Sequence, residues 1–394
     1  MQPLLRPTSL AWAALACCLF VGCGSYSFLG DSRPYTGSMS NTTTHNGEVH
    51  RIVAWGDGGH GYRFEWKGSS APELSADDTQ ILPLDEGEFI VAEYEGSDDL
   101  RRVELRPDAA RAYFVDGVEQ AYEPEGARWV AEVIPVLIDR LGFGASSRVP
   151  RILESDGVDG VLADIDKRSS DMARSEYYEV LLASPQLVVG EVTRVIEHAS
   201  ERVDSDAHLA DLLEEVADSA ELSGPVMTPY LEALASIDSD AHASDILEEL
   251  VSDKTLADGE VARVLSEAVP RVSSDAHLSD ILEEVHPDRL TDPTLRAAFV
   301  DALDGISSDA HAADVLEGQL DSARSPQVVA SLLQAAAHGI SSDAHMADVL
   351  EHCPASSVKD PSVADALRSA YATIASSSHR EDVRERFPVG TFSE

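Results

Sequence analysis

A four-residue phrase, Ser-Asp-Ala-His, occurs five times in the chain and brings together groups that could bind a metal or a proton. Three residues after each histidine stands an aspartate, and a sixth copy keeps this pair without the rest of the phrase. Imidazole and carboxylate groups bind divalent metals, and histidine changes its charge near neutral pH. The six pairs, named here the His/Asp ladder, are His208 and Asp211, His242 and Asp245, His277 and Asp280, His311 and Asp314, His345 and Asp348, and His379 and Asp382.

Two interpretations of the His/Asp ladder stay open. In the first, each histidine forms a hydrogen bond with its aspartate or with the adjacent repeat, and the repetition follows from duplication. In the second, the ladder binds a divalent metal or senses pH. Because zinc takes three or four ligands at about 2 Å, a metal would need ligands from adjacent repeats. No other cofactor is expected.

The spacing of the repeated phrase predicts the helices that position these pairs. The aspartates of the phrase stand at 206, 240, 275, 309 and 343, a period that is typical of stacked helical repeats. In each unit a serine caps a first helix, and a second helix often begins with proline, as at Asp292-Pro293. The tryptophan, leucine-glycine and tyrosine pattern of tetratricopeptide repeats is absent. We therefore predict an α-solenoid of about seven HEAT-like helix hairpins over 146–394, with altered copies at Ser170 and Ser376 as its ends.

The residues before the repeats follow a different sequence pattern. Short runs in which apolar and polar residues alternate, such as Tyr62 to Trp66, are separated by turns such as Asp116-Gly117. This pattern predicts a small antiparallel β domain over 48–122. Apolar residues at helical spacing then predict a linking helix over 123–145. The whole chain is thus expected to have an α+β fold.

The N-terminus has the features of a bacterial lipoprotein. Arg6 precedes a short apolar run that ends in Phe20-Val21-Gly22-Cys23, and this run is too short to span a membrane. We predict that 1–22 is a cleaved signal peptide, that Cys23 carries the lipid, palmitate included, and that 23–47 is a flexible tether. Gly24 favours anchoring to the outer membrane on its periplasmic side, with the inner membrane as the alternative. An ordinary secretory signal cut nearby is the competing interpretation.

The charge of the chain limits its partners. Asp and Glu number 71 against 29 Lys and Arg, which gives a formal net charge of −42. This excess of acid argues against binding nucleic acid. Because acid is spread along the chain and lysine is rare, the composition is similar to that of proteins from halophiles. A cation-binding surface is the competing explanation.

The predicted helical repeats and three segments of the β domain together resemble a known group of proteins. The segments are Asp77-Asp78-Thr79, Arg101 to Leu105 and Tyr113 to Gly117. The chain resembles uncharacterised bacterial envelope lipoproteins in which a β domain precedes HEAT-like repeats. That resemblance implies no known activity. This chain departs from it by carrying histidine and aspartate where those repeats usually carry glutamate and arginine.

No serine, cysteine or carboxylate group of residues stands out as a catalytic site, and residues repeated in many copies suit a surface better than one active site. We therefore expect a non-enzymatic scaffold that is anchored in the cell envelope and binds a protein partner through the concave surface of its solenoid. The alternative is sensing of metal or pH by the His/Asp ladder.

Overall fold

The structure is a computed structural model, and it describes residues 36–45, 47–57, 60–68, 72–96, 99–107, 110–219, 222, 224–388 and 390–392. Its N-terminal part is a seven-stranded antiparallel sheet in which each strand pairs with the next along the chain. The strands are β1 (Thr36–His45), β2 (Glu48–Asp57), β3 (Gly61–Gly68), β4 (Phe89–Glu95), β5 (Leu100–Leu105), β6 (Arg111–Val115) and β7 (Val118–Gln120).

The first strand corrects one prediction. The segment 23–47 was expected to be a flexible tether, but Thr36–His45 forms β1, which pairs with β2 along its whole length. The tether prediction is wrong over these residues, and the sheet begins before residue 48. The composition conceals the strand because β1 is an edge strand whose Ser40, Asn41 and Thr43 are exposed, so no apolar alternation is required.

The helical part begins with α1 (Ala127–Leu141), within the predicted linking segment. The helices after it are α2 (Ala145–Ile165), α3 (Asp171–Leu182), α4 (Val189–Arg202), α5 (Asp206–Ser219), α6 (Met227–Leu234), α7 (Asp240–Ser252), α8 (Asp258–Glu267), α9 (Asp275–Glu283), α10 (Pro293–Leu303), α11 (Asp309–Ser322), α12 (Pro326–Gly339), α13 (Asp343–Glu351), α14 (Pro361–Thr373) and α15 (Ser377–Arg386). A sheet followed by a helical repeat region confirms the predicted α+β fold class.

The repeats pack in two layers. Helices α3 to α15 with odd numbers contact one another in succession, and helices α4 to α14 with even numbers do the same. The apolar stripe of each first helix lies between the layers, because Leu213, Leu247 and Leu282 are at most 2 % exposed. A cavity left by replacing one such leucine with alanine costs about 2–5 kcal/mol.

The sheet has its own core and is joined to the repeats by charged groups. Phe64, Ile90 and Val103 pack against α1 in one buried cluster. Asp78 accepts hydrogen bonds from Arg148 and Arg151 of α2. Asp78 belongs to one of the segments that carried the resemblance, and the structure places it at the junction of the two parts. Among the described residues, no helix is long and apolar enough to cross a membrane.

Candidate functional site

Each first helix begins at the repeated phrase, and the serine is its cap. The Oγ atom of Ser239 accepts a hydrogen bond from the backbone N–H of His242, and Ser274 does the same for His277. The same bond recurs at Ser308, Ser342 and Ser376. The serine satisfies a backbone donor that the helix start leaves without a partner. The ladder histidine therefore occupies the third helical position, as the sequence predicts.

The aspartate of the phrase joins consecutive repeats. Asp309 accepts hydrogen bonds from the backbone N–H groups of Ser341 and Ser342, at 3.2 and 2.7 Å, and from Ser341 Oγ at 2.8 Å. An equivalent bond to the start of the next first helix is made by every member of one series, named here the cap aspartates. They are Asp171, Asp206, Asp240, Asp275, Asp309 and Asp343.

These contacts lower the pKa of four cap aspartates, Asp240, Asp275, Asp309 and Asp343. Hydrogen bonds from Ser273 hold the pKa of Asp240 below its usual value, and those from Ser341 do the same for the pKa of Asp309. A carboxylate at the start of a helix also interacts favourably with the helix dipole. In the sequence these aspartates stand out only as part of a repeated phrase, although their partners lie one repeat period away. Their role is to fasten each repeat to the next.

The ladder side chains point away from the core. The six ladder aspartates are exposed and the six ladder histidines are half-buried. The nearest pair is His379 Nδ1 and Asp382 Oδ2, at 3.9 Å, which exceeds hydrogen-bond distance. Among the described residues, no ladder histidine side chain forms a hydrogen bond with a ladder aspartate or with the adjacent repeat. The hydrogen bonds expected from the first interpretation are therefore not formed, because the aspartates extend into solvent.

Carboxylates of neighbouring repeats affect one another along this surface. Although Asp211 is exposed as a residue, partial desolvation of its carboxyl group raises its pKa, while the charges of His208 and His242 lower it, so that Asp211 is influenced by its own repeat and by the next. Burial also raises the pKa of Glu248, and the nearby Asp280 and Asp245 raise it further. Like charges therefore accumulate along the first helices.

A second group of acidic residues, around Glu179, lies where the repeats begin, and no pattern in the sequence indicates it. The pKa of Glu179 is raised to about 7, because burial disfavours its charge and the carboxylates of Glu176 and Asp211 repel it. Arg51 of the sheet acts in the opposite direction and forms an ion pair with Glu176. The acidic surface of the repeats thus continues to the edge of the β domain.

The structure does not form the metal site of the second interpretation. Over the described ranges, no group of three or more His, Cys, Asp or Glu side chains is arranged to hold a metal ion. Because packed helices lie about 8–10 Å apart, a metal held between two repeats would need ladder side chains of both helices to converge to bonds of about 2 Å.

The cysteines fall into two groups. Cys23, the predicted site of lipidation, lies outside the described residues, as does the predicted signal peptide at 1–22. Cys353 is fully buried among the repeats, and burial raises the pKa of its thiol to about 11. A protonated, buried thiol is unreactive. Cys353 is therefore a core residue.

Comparisons with known proteins leave the family of the chain open. No family model and no curated protein matches the chain. One solved structure that matches is described as a computational design of self-assembling cyclic protein homo-oligomers. It is 14 % identical, and the match covers 65 % of this chain and 95 % of that one with a TM-score of 0.16. A score this low carries no argument about fold or function.

Proposed function

We propose that the protein is a lipoprotein of the cell envelope, anchored through Cys23, that acts as a non-enzymatic scaffold for a protein partner. The observation that carries the proposal is the exposed row of ladder aspartates on successive first helices. Among the described residues, Asp245, Asp280 and Asp314 have no hydrogen-bond or ion-pair partner, although they recur at the same position of each unit.

Folding does not account for this row. The cap aspartates of the same helices make contacts that stabilise the stack, whereas Asp245, Asp280 and Asp314 make no hydrogen bond or ion pair within the described part of the chain. Burial and then the like charges nearby raise the pKa of Glu248 and Glu317, and this repulsion opposes folding instead. A basic surface on a partner would remove this repulsion, and the regular spacing of the repeats would present several carboxylates to it at once. We therefore assign the first helices as the surface that binds the partner.

Sensing of pH by the His/Asp ladder is the second candidate. It is favoured by the position of Asp211, whose carboxyl group is subject to the charges of His208 and His242 from two consecutive repeats. Protonation of such histidines would reduce the negative charge of the first helices. In this form the ladder would adjust the affinity of the scaffold for a basic partner. No contact favours binding of a metal.

The scaffold proposal is tested by capture from the envelope with matched variants. The triple variant Asp245→Asn, Asp280→Asn, Asp314→Asn removes three charges from the first helices. The control variant Glu232→Gln, Asp301→Asn, Asp304→Asn removes three charges from exposed positions on or beside the second helices α6 and α10. We expect the ladder variant to lose the partners that wild type and control retain. Equal capture by all three proteins would refute the proposal.

The anchor is tested separately. Growth with a labelled fatty acid should label the wild-type chain, and the Cys23→Ser variant should remain unlabelled and leave the membrane fraction. Labelling of the variant, or release of the wild type by a high-salt wash, would contradict the assignment of Cys23.

A further inference from the structure

Three aromatic side chains lie side by side across the β domain. Trp55, Tyr62 and Tyr94 come from adjacent strands and face one another in the pairing of the sheet. The rings of Trp55 and Tyr62 are stacked with their centroids 5.3 Å apart, and those of Tyr62 and Tyr94 are 5.0 Å apart. All three residues are only half-buried. We name these three residues the aromatic row.

The aromatic row continues into groups that suit a boundary between water and lipid. The exposed His60 stacks on Tyr94 and shares a hydrogen bond of 2.7 Å with its hydroxyl group. Arg101 faces Tyr94 from β5; its side chain is 36 % exposed, and its Nε atom forms an ion pair with Asp99 at 2.8 Å. Val118, which is 60 % exposed, lies at the far end of the same cross-strand line. This end of the sheet therefore combines exposed apolar surface with a guanidinium group.

The chain enters the sheet at this end. β1 starts at Thr36, which pairs with Asp57, and its third residue, Ser38, lies opposite Trp55. Only residues 24–35 separate Thr36 from Cys23. Twelve residues reach at most about 40 Å even when fully extended. A lipid on Cys23 would therefore hold the aromatic row close to the membrane surface.

We propose that the aromatic row docks on the headgroup region of the membrane that holds the lipid anchor. Tryptophan and tyrosine are enriched at this depth, because their rings are apolar while their N–H and O–H groups remain hydrated. The Nε atom of Arg101 binds Asp99, and its Nη atoms supply the donors for lipid phosphate. Two attachments, the lipid and the row, fix the direction in which the repeats extend from the membrane. The proposal rests on the assignment of Cys23 made above.

Quenching of tryptophan fluorescence by brominated lipids tests the proposal. The full chain, processed by its own export signal, is reconstituted in vesicles of phosphatidylcholine and phosphatidylethanolamine with brominated acyl chains. Trp66 and Trp129 are at most 8 % exposed in the core, so Trp55 is the tryptophan that can approach lipid. We expect the brominated lipids to quench no more fluorescence than one tryptophan contributes. We expect the Trp55→Phe variant to show no quenching.

A second pair of variants separates docking from loss of the reporter. Tyr94→Ser keeps Trp55 and weakens the row, so we expect it to reduce the quenching at least twofold. Met39→Ser is the matched control, because Met39 is 40 % exposed on the opposite face of the sheet, and we expect it to quench as the wild type does. Absence of quenching in the anchored wild type, or equal quenching in both variants, would overturn the proposal.

An artificial anchor distinguishes failure of the lipid assignment at Cys23 from failure of the docking proposal. The chain from residue 24 onward, with a hexahistidine tag at its start, keeps every described residue and is held on vesicles by nickel-chelating lipid. Quenching of Trp55 in this arrangement supports docking even if Cys23 proves to carry no lipid. Absence of quenching here, with the protein bound to the vesicles, overturns the docking proposal.

Discussion

Replacing Asp309 with alanine should loosen the start of the next repeat. The change removes the acceptor of two backbone N–H groups and one hydroxyl group, at Ser341 and Ser342. Hydrogen bonds to charged groups contribute about 1.5–3 kcal/mol, but these donors are partly exposed and water can replace part of the loss. Loss of a helix cap costs about 1 kcal/mol. We therefore expect the free energy of unfolding to fall by about 1 kcal/mol.

Hydrogen exchange measured by mass spectrometry can locate this effect. We expect faster exchange in peptides that contain Ser341 to Met346, at the start of α13, and unchanged exchange in the β domain. Asp314→Ala is the control, because it removes the same charge from the same helix at an exposed position that has no partner among the described residues. Equal exchange in the two variants would refute the role assigned to the cap aspartates.

The effect should also depend on pH, with a definite sign. Because the pKa of Asp309 in the folded chain lies below its value of about 3.9 in the unfolded chain, its contribution is complete above that value. The contribution disappears as pH falls through the lower, folded pKa. Wild type and Asp309→Ala should therefore differ at pH 7 and converge in strong acid. A difference that grows on acidification would contradict this reasoning.

Three further experiments, two with substitutions and one with thiol labelling, test other parts of the fold. Gln319→Ala should lower the free energy of unfolding by about 1–3 kcal/mol in urea titrations, because the buried amide donates to the carbonyls of Leu282 and Val285. Arg148→Ala should lower the free energy of unfolding by about 3 kcal/mol, because it removes the guanidinium group that donates hydrogen bonds to Asp78, Asp164 and Tyr177. We then expect the β domain to melt before the repeats in scanning calorimetry. The thiol of Cys353 should resist iodoacetamide in the folded chain at pH 8 and react in denaturant, because burial raises its pKa to about 11.

The parts of the fold that recur in the sequence were predictable. A core leucine, a capping serine and a proline at the start of second helices each appear in several copies, so that independent signals indicate the same two helices. The edge strand β1 was not predictable in this way. Its side chains from Met39 to His45 are exposed, and the free energy of pairing comes from backbone hydrogen bonds, which leave no pattern of apolar residues.

The candidate site was only partly predictable for a related reason. Spacing along one helix placed the ladder on the solvent side, since it depends on helical geometry alone. The spacing could not show whether His277 and Asp280 form a hydrogen bond, because that depends on side-chain conformation. The cap aspartates make contacts between repeats, and a single helix gives no sign of them. Two aspartates five residues apart, such as Asp275 and Asp280, thus have different surroundings despite the same chemistry.

The end of the cap series shows that these contacts serve the stacking of repeats. Asp343 binds the backbone N–H groups of Ala375 and Ser376 at the start of α15, at 2.9 and 2.8 Å. In α15 itself, serine stands at 377 where the earlier helices have their cap aspartate. The described helices include no further first helix for residue 377 to bind. Among the described first helices, the aspartate is thus present in each one that another first helix follows, and it is replaced by serine in α15. The ladder pair His379 and Asp382 is nevertheless retained in α15, which separates the role of the ladder from that of the cap aspartates and supports its assignment to a surface.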